Sequence, residues 1–392
     1  MAIPMLQSLN PKQQEVFYFV RKWCMETAQG KRPDPFHIFL TGGAGTGKSH
    51  LIKCICYEAT RLLQQTQENP DSVSVLLAAP TGTAAFNIGG STIHHAFHLM
   101  CKTKDREGLS ESTVNTMRAQ YESLKIVIVD EVSMVDKPLM KSIHLRLRQL
   151  RQGRPNALFG NVSILAVGDM YQVPPVKGIS LYKERDRDIF NLWNPNFEVV
   201  ELEEIMRQKD DAAFAKLLNR MRVKRKKDKL SDEDDEILSS RVLSVDFEAD
   251  DYPKDALHIF TTNIAVAEHN DKMLRLRCPD VRCFEASDFV KDPTTGSMNR
   301  RDLARGGKDD LPDVVKVGVG ARVMLSRNVN VADGLVNGAF GTVSGVAGGQ
   351  DDAREVATVF VQFDNPKVGA LERQKSSSSQ QSTCQFGSCT SD

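Results

Sequence analysis

The sequence has no excess of positive charge and no long apolar run. Its 51 Lys and Arg residues balance 51 Asp and Glu residues, so the formal net charge is zero. A basic field over the whole chain is thereby excluded, and any nucleic-acid binding must come from a local groove or patch. No apolar run approaches the roughly 20 residues that span a bilayer, so we expect no membrane partner. The first residues show neither an apolar signal core nor an Arg-rich pattern, and we expect no secretory signal or transit peptide.

Cysteines are scattered and form no dense framework. Eight are present, and this usage favours a reducing compartment. Cys278 with Cys283 and Cys384 with Cys389 each enclose a four-residue gap, which leaves a zinc site open as an alternative. Free thiols are the simpler interpretation, because zinc-ligand spacing is usually tighter and no His lies nearby.

Short apolar runs alternate with helical patterns through the first 200 residues. The predicted strands are largely apolar along their length, which is typical of a parallel sheet covered on both faces; they are HIFLTG from 37, SVSVLLAAP from 72, LKIVIVDE from 124 and VSILAVGD from 162. The first helix is predicted to begin with Asn10 as its cap and Pro11 in its first turn. The alternation predicts an α/β fold.

A change of composition near residue 200 indicates a second part of the chain. VKRKK at 223–227 is followed by SDEDDE. The basic run is a candidate for phosphate contacts or nuclear import, but paired runs of opposite charge more often mark a solvated helix or loop. Residues 256–275 read as a strand, a turn and a helix, and residues 311–370 as short strands with Gly turns. Residues 371–392 are polar and Ser-rich and are predicted to be disordered.

The segment GGAGTGKS predicts a site for a nucleoside triphosphate. It satisfies G-x-x-x-x-G-K-[ST] between a predicted strand and a predicted helix. Backbone N–H groups of such a loop cradle phosphate oxygens, and the helix N-terminus adds a positive dipole end. Lys48 is expected to reach the β- and γ-phosphates and Ser49 to bind Mg²⁺. We therefore predict ATP and Mg²⁺ as cofactors, with the nucleotide held by Gly42, Gly43, Ala44, Gly45, Thr46, Gly47, Lys48, Ser49 and His50.

Polar residues follow two further predicted strands at the same sheet edge. Asp130 suits the metal shell, and Glu131 suits a base that orients and activates the attacking water. Gly168 and Asp169 end the next strand, and Gln172 is a neutral polar group suited to sensing a γ-phosphate. The predicted catalytic set is therefore Lys48, Glu131 and Gln172, joined below by Arg207.

The order of motifs resembles one helicase family. LNPKQ, GGAGTGKS, APTGTAA, STIHHAF, VDEVSMV, GDMYQVPPV and EIMRQKDDAAFAKLLNRMR look like the superfamily-one DNA helicases, and most like the petite-integration-frequency (Pif-type) family. LFGNVSILAVGDMYQVPPV and GLVNGAFGTV are particularly similar to it. The resemblance runs from about residue 8 to about residue 368.

The resemblance implies a P-loop NTPase fold with tandem RecA-like domains. Residues 1–200 would form the first ATPase domain, residues 201–310 the start of an incomplete second, and residues 311–370 a small β-barrel-like insert. The implied function is a 5′-to-3′ ATP-dependent DNA helicase in DNA repair, recombination or telomere maintenance. It implies single-stranded or forked DNA as partner and a nuclear location, with the mitochondrion left open; we also expect a monomer.

Roles for individual residues follow from the resemblance. Gln13 matches an adenine-reading glutamine, although Asn10 and Gln13 also form a capping-box pattern. Arg207 matches an arginine finger that reaches the γ-phosphate from the second domain. The implied DNA contacts are Pro80, Thr81, Thr83, Thr92, His94, His95, Thr262 and Asn263. Phe97 belongs to the same segment as His95, and a core position is the alternative for it.

Two family segments are missing from this sequence. The family normally continues with a Gln-Gly-containing segment and a YVALSR-like motif that carries a further γ-phosphate arginine. Two hypotheses therefore stand, a DNA helicase and a truncated ATP- and DNA-binding module without unwinding. Loss of such an arginine can lower turnover by several orders of magnitude.

Overall fold

The computed structural model describes residues 7–65, 67, 69, 72–99, 109–151, 157–183, 191–206, 211–225, 227–243, 256–285, 289–291, 298–300, 314–347, 358–375 and 383–385. By its internal contacts the chain divides into two compact units, Met1–Ser244 and Val245–Asp392. None of the described helices combines the length and the apolar character needed to cross a bilayer.

The first unit is built on a six-stranded sheet in the order β3-β2-β4-β5-β1-β6. Every neighbouring pair is parallel. The strands are β1 (His37–Gly42), β2 (Val75–Ala79), β3 (Ser91–Thr92), β4 (Ile126–Val129), β5 (Ser163–Gly168) and β6 (Glu198–Leu202). All residues of β4 and β5 are buried, as their continuous apolar character predicts for a covered parallel sheet. The predicted α/β class is confirmed.

Helices precede, connect and follow the strands of this sheet. They are α1 (Pro11–Ala28), α2 (Lys48–Gln64), α3 (Gly82–Ile88), α4 (Ile93–Ala96), α5 (Glu111–Gln120), α6 (Lys137–Leu150), α7 (Ala212–Val223) and α8 (Asp232–Ser239). Short 3₁₀ turns lie at Val132–Met134 and Leu158–Asn161. Asn10 caps α1 and Pro11 stands in its first turn, so this prediction is confirmed. The core between sheet and helices includes Phe97, Ile128, Phe159 and Ile164.

The charged segment after residue 210 belongs to the first unit. It forms α7 and α8, which are joined by an ion pair between Arg220 and Asp234. Arg220 precedes the basic run at 223–227, and its partner Asp234 is buried, so this ion pair does not test the solvated-helix interpretation of that run. The domain boundary predicted at residue 200 falls inside this unit, which extends to Ser244.

The second unit contains a helix and small antiparallel sheets. Helix α9 (Asn263–Arg277) is followed by β7 (Val281–Glu285), β8 (Phe289–Lys291), β9 (Met298–Arg300), β10 (Val314–Gly318), β11 (Arg322–Met324), β12 (Phe340–Ala347), β13 (Thr358–Phe363), α10 (Ala370–Lys375) and β14 (Thr383–Gln385). Strands β11 to β14 pair in sequence order, β10 pairs with β7, and β8 pairs with β9. The predicted run of short strands is confirmed within the described residues, whereas closure into a barrel stays a prediction.

Two predictions in this unit differ from the structure. Residues 256–260 are predicted as a strand, but they join no sheet among the described residues. A strand needs a neighbouring strand that pairs with its backbone N–H and C=O groups. Leu257 and Ile259 are 68% and 88% exposed. Disorder is predicted from residue 371, yet α10 continues to Lys375 because Asp333 accepts hydrogen bonds from the backbone of Leu371 and Glu372.

Candidate nucleotide-binding site

The sheet order brings three chain turns to one edge. Strand β5 lies between β1 and β4, and all three are parallel, so their carboxyl ends meet there. The glycine-rich loop follows β1, Asp130 and Glu131 follow β4, and Asp169 to Gln172 follow β5. Ligands of open parallel sheets bind outside the carboxyl ends of the strands. The geometry therefore makes this edge the candidate site.

The loop ends in a backbone conformation that favours glycine. Gly47 has φ of 79° and precedes α2, a helix of 17 residues whose first turn receives no side-chain cap. A Cβ atom at Gly47 would lie 2.5 Å from Gln13 Nε2. The N–H groups of this helix end are therefore not satisfied by a capping side chain, and such a terminus is suited to an anion. This observation fits a phosphate group.

The side chain of Lys48 folds back onto the start of the loop. Its Nζ donates hydrogen bonds to the carbonyls of Gly42 at 2.8 Å and Gly43 at 2.9 Å. Burial lowers the pKa of Lys48, while the carboxylates of Asp169, Glu131 and Asp130 favour the charged form and Arg222 opposes it. The ammonium group is therefore close to all three carboxylates that the sheet edge presents.

Asp130 and Glu131 occupy different environments. Asp130 is buried, and this burial raises its pKa to about 6; the Glu131 backbone N–H and Lys48 oppose the rise, while the Glu131 charge adds to it. Glu131 has φ of 49° and begins the 3₁₀ turn after β4, a conformation that non-Gly residues rarely adopt. Ser49, exposed in the first turn of α2, and Asp130 supply hydroxyl and carboxylate oxygens, the ligands that Mg²⁺ prefers. The residues present therefore fit Mg²⁺.

Gln13 is tied to the loop by its amide. Its Oε1 accepts from the Asn10 backbone at 3.0 Å, and its Nε2 donates to the Thr46 carbonyl at 3.0 Å. The capping box is formed, and the Gln13 side chain is 1% exposed. Thr46 in turn donates from Oγ1 to the Gly43 carbonyl. Because both ends of the Gln13 amide are bonded within the protein, adenine reading stays a prediction.

The remaining loop residues are more accessible. Ala44 and Ser49 are exposed, and His50 is half-buried. His50 Nε2 lies 2.8 Å from Ser8 Oγ. The carbonyl of Gly45 accepts from the backbone N–H of Met206 at 2.8 Å, so the chain after β6 crosses the loop. Arg207 itself lies outside the described residues.

The turn after β5 contains a buried ion pair that the sequence analysis missed. Asp169 is 0% exposed. Arg222 of α7 donates to it from Nε at 2.6 Å and from Nη2 at 2.8 Å. Gln172 Nε2 also lies 3.3 Å from Asp169 Oδ2. The signal in the sequence is the last Arg of the NRMR segment, which carries the family resemblance but has no individual role predicted for it.

The predicted DNA residues of the first unit lie at helix starts. Thr81 caps α3 and Thr92 caps α4 through their side-chain oxygens. Pro80, Thr83 and His94 are half-buried, and His95 is exposed. A cavity of about 250 Å³ is lined by His94, His95, His98, Leu99 and Leu109. Phe97 is fully buried, so the core alternative applies to it.

The predicted DNA residues of the second unit lie at the start of α9. Thr262 caps this helix by accepting from the Ala265 backbone at 3.3 Å, and Asn263 is its first residue. Both side chains are exposed. The ring of His269 lies 4.4 Å from that of His258 and 4.9 Å from that of Phe260. The rings of His258, Phe260 and His269 thus form a cluster.

The zinc alternative has no support in the described residues. There, no three His, Cys, Asp or Glu side chains come together as a metal site. Cys278 is buried and Cys283 is exposed, both as free thiols. Cys389 and the side chain of Cys384 lie outside the described part of the chain.

Comparison with known proteins agrees with the fold and the motif order. Residues 8–231 match the family model of PIF1-like helicases, and residues 312–346 match that of the 2B domain of DNA helicase Pif1. The chain belongs to the PIF1-like helicase family. The resemblance drawn from the sequence is thereby confirmed.

Relatives and solved structures support this membership. The chain is 30% identical to the ATP-dependent DNA helicase PIF1 of Candida albicans over 78% of its own length and 32% of that protein. It is 31% identical to the mouse ATP-dependent DNA helicase PIF1 over 79% of its length and 43% of that protein. The crystal structure of Candida albicans Pif1 helicase covers 91% of this chain, and the match covers 75% of that structure, with a TM-score of 0.60 and 25% identity.

A second solved structure is about equally similar to this chain. The match to the crystal structure of Bacteroides Pif1 helicase in complex with ADP-AlF3 and ssDNA covers 91% of this chain and 72% of the Bacteroides chain. The sequence identity is 26% and the TM-score is 0.58. These likenesses confirm a P-loop, RecA-like fold. The chain spans about a third of the length of the first curated relatives it matches.

Proposed function

We propose that this chain is an ATP-dependent DNA helicase that couples ATP hydrolysis to movement along single-stranded DNA and to duplex unwinding. One observation carries the proposal: the phosphate loop, the Asp130–Glu131 turn and the Asp169–Gln172 turn meet at one sheet edge. The names of the relatives, ATP-dependent DNA helicase, support it.

The residues of this edge have distinct proposed roles. Lys48 and the loop residues Gly42 to His50 bind the phosphates, and Ser49 and Asp130 hold Mg²⁺, which supplies charge neutralisation on the phosphate oxygens. Glu131 orients and deprotonates the attacking water, and Gln172 senses the terminal phosphate. Arg207 is proposed as an arginine finger, supported by the contact of the preceding residue with the loop.

DNA binding is proposed for residues of both units. In the first unit these are Pro80, Thr81, Thr83, Thr92, His94 and His95, and in the second they are Thr262 and Asn263. Hydroxyl and imidazole groups bind phosphates or stack on bases without reading sequence. We propose single-stranded or forked DNA as partner, 5′-to-3′ movement, a monomer, and a role in repair, recombination or telomere maintenance in the nucleus, with the mitochondrion as the other location.

A second candidate is an ATP- and DNA-binding module that does not unwind. The observation that favours it is the exposed pair Leu257 and Ile259, in a segment that joins no sheet among the described residues. A motor needs a second domain that closes on the first.

The test measures DNA-stimulated ATP hydrolysis and unwinding of a duplex with a 5′ single-stranded tail. Both activities are expected in the native chain and absent from Lys48→Ala. The matched control is Lys53→Ala, which removes an exposed Lys of the same helix and is expected to retain both. ATP binding without either activity would select the second candidate, and full activity in Lys48→Ala would refute the site.

A further inference from the structure

The guanidinium of Arg222 connects helix α7 to the turn after β5. Its Nε and Nη2 atoms make two parallel hydrogen bonds to the carboxylate of Asp169, which is completely buried. Such bidentate pairs fix orientation as well as charge. The Asp169 carboxylate also accepts from the Tyr171 backbone and from Gln172 Nε2. Arg222 therefore fixes the Asp169 carboxylate, and this carboxylate in turn binds Tyr171 and Gln172 of the same turn.

The opposite edge of the same guanidinium faces the phosphate loop. Nη1 donates to Asn219 Oδ1 at 3.2 Å. A Cβ atom built on Gly43 would lie 3.7 Å from that Asn219 oxygen and 4.0 Å from the Arg222 Cζ. The ring of Tyr171 lies 4.9 Å from Arg222 Cζ and covers one face. Arg222 thus occupies the space between the Gln172 turn and Gly43.

The Asp169 carboxylate lies near two cationic side chains, Arg222 and Lys48. The Asp169 charge attracts the Lys48 ammonium, and the Arg222 charge repels it. Removing Arg222 would leave a buried carboxylate with one cation fewer, a change that proteins tolerate poorly. Asp169 would then be drawn toward Lys48, and the Gln172 turn with it.

We propose that Arg222 is a positioning residue for ATP hydrolysis: bound to Asp169, it sets the spacing between the Gln172 turn and Gly43, so that the site distinguishes a triphosphate from a diphosphate. The inference rests on the proposed function, because it assumes that the loop binds ATP. It assigns Arg222 no contact with substrate, and its effect acts through Gln172 and the loop.

The test compares Arg222→Gln with Arg222→Lys and with the control Arg220→Gln. Arg220 lies on the same helix and pairs with Asp234 instead. The readouts are the dissociation constants of ADP and a non-hydrolysable ATP analogue, kcat and KM for ATP, and the thermal midpoint. Arg222→Gln is expected to lower the ATP-over-ADP affinity ratio and kcat by about tenfold each, with a smaller change in KM. Arg222→Lys keeps the charge but not the two parallel bonds, so an intermediate loss is expected.

The outcomes separate this inference from the proposed function. A native chain that binds neither nucleotide overturns both. A native chain that binds and hydrolyses ATP, with an unchanged affinity ratio and kcat in Arg222→Gln, overturns the inference alone. A loss of the same size in Arg220→Gln also overturns it, because the effect would then reflect stability of α7. If Arg222→Gln does not fold, Arg222→Lys decides, and native values in that variant refute the inference.

Discussion

Replacing Gln13 with Ala is expected to weaken the fold and the phosphate loop together. The change removes the acceptor of the Asn10 backbone N–H and the donor to the Thr46 carbonyl, both at 3.0 Å in a buried setting. Each buried group left without a partner costs about 1–3 kcal/mol. We expect a loss of about 2–4 kcal/mol in the free energy of unfolding, since the Ala cavity admits some relaxation. Gln14→Ala, which loses one half-buried bond to the Leu9 carbonyl, is the matched control and is expected to cost about 1 kcal/mol.

Urea unfolding measures the stability of both variants, and nucleotide titration measures the affinities for ATP and GTP. A loosened loop is expected to weaken both nucleotides to the same extent. Selective loss of ATP affinity would instead indicate that Gln13 reads adenine. A cost in Gln13→Ala no larger than in Gln14→Ala would refute the reasoning from buried hydrogen bonds.

Three further predictions concern the proposed catalytic base Glu131, the carboxylate at the start of α10 and a buried thiol. Glu131→Gln is expected to lower kcat for ATP by about a hundredfold or more while leaving the ATP dissociation constant within a few-fold; an unchanged kcat in steady-state assays would remove Glu131 from the catalytic set. Asp333→Ala is expected to destabilise the second unit by about 1–2 kcal/mol, since its carboxylate accepts from two backbone N–H groups at the start of α10; hydrogen exchange in α10 that matches the native chain would contradict this. Burial, with a smaller contribution from Glu58, raises the pKa of Cys24 to about 12, so at pH 8 its reactive thiolate is scarce. Iodoacetamide and peptide mass spectrometry should therefore show slow labelling of Cys24 beside the exposed Cys283, and equal rates would be inconsistent with this burial.

The strands and the phosphate loop were predictable because their signals are local. A run such as IVIV at β4 has to be buried on both faces, and the spacing from Gly42 to Ser49 has one well-known backbone solution. The cap at Asn10 is likewise encoded within four residues. The contact of Gln13 with the Thr46 carbonyl and the pairing of Arg222 with Asp169 were not predictable, because they depend on how helices α1 and α7 approach the loop. The pair Arg222 and Asp169 joins residues 53 positions apart.

The second unit was less predictable for the same reason. The continuation of α10 depends on Asp333, which is 38 positions before the Leu371 N–H that it accepts, and Ser-rich composition carries no trace of that contact. Residues 256–260 have the apolar character of a strand, but a strand is defined by its neighbour. Composition therefore predicts which segments can pair, and long-range geometry decides which of them do.

Gly168 has a consequence for how this site can be probed. A Cβ atom there would lie 2.9 Å from the Val132 backbone nitrogen and 3.1 Å from its Cγ1. The turn of Asp130 and Glu131 can therefore approach the turn of Asp169 this closely only because residue 168 has no side chain. The added methyl group of Gly168→Ala would push the two acidic turns apart, while every functional group of the site remains present. It offers a means of testing the site's dimensions independently of its chemistry.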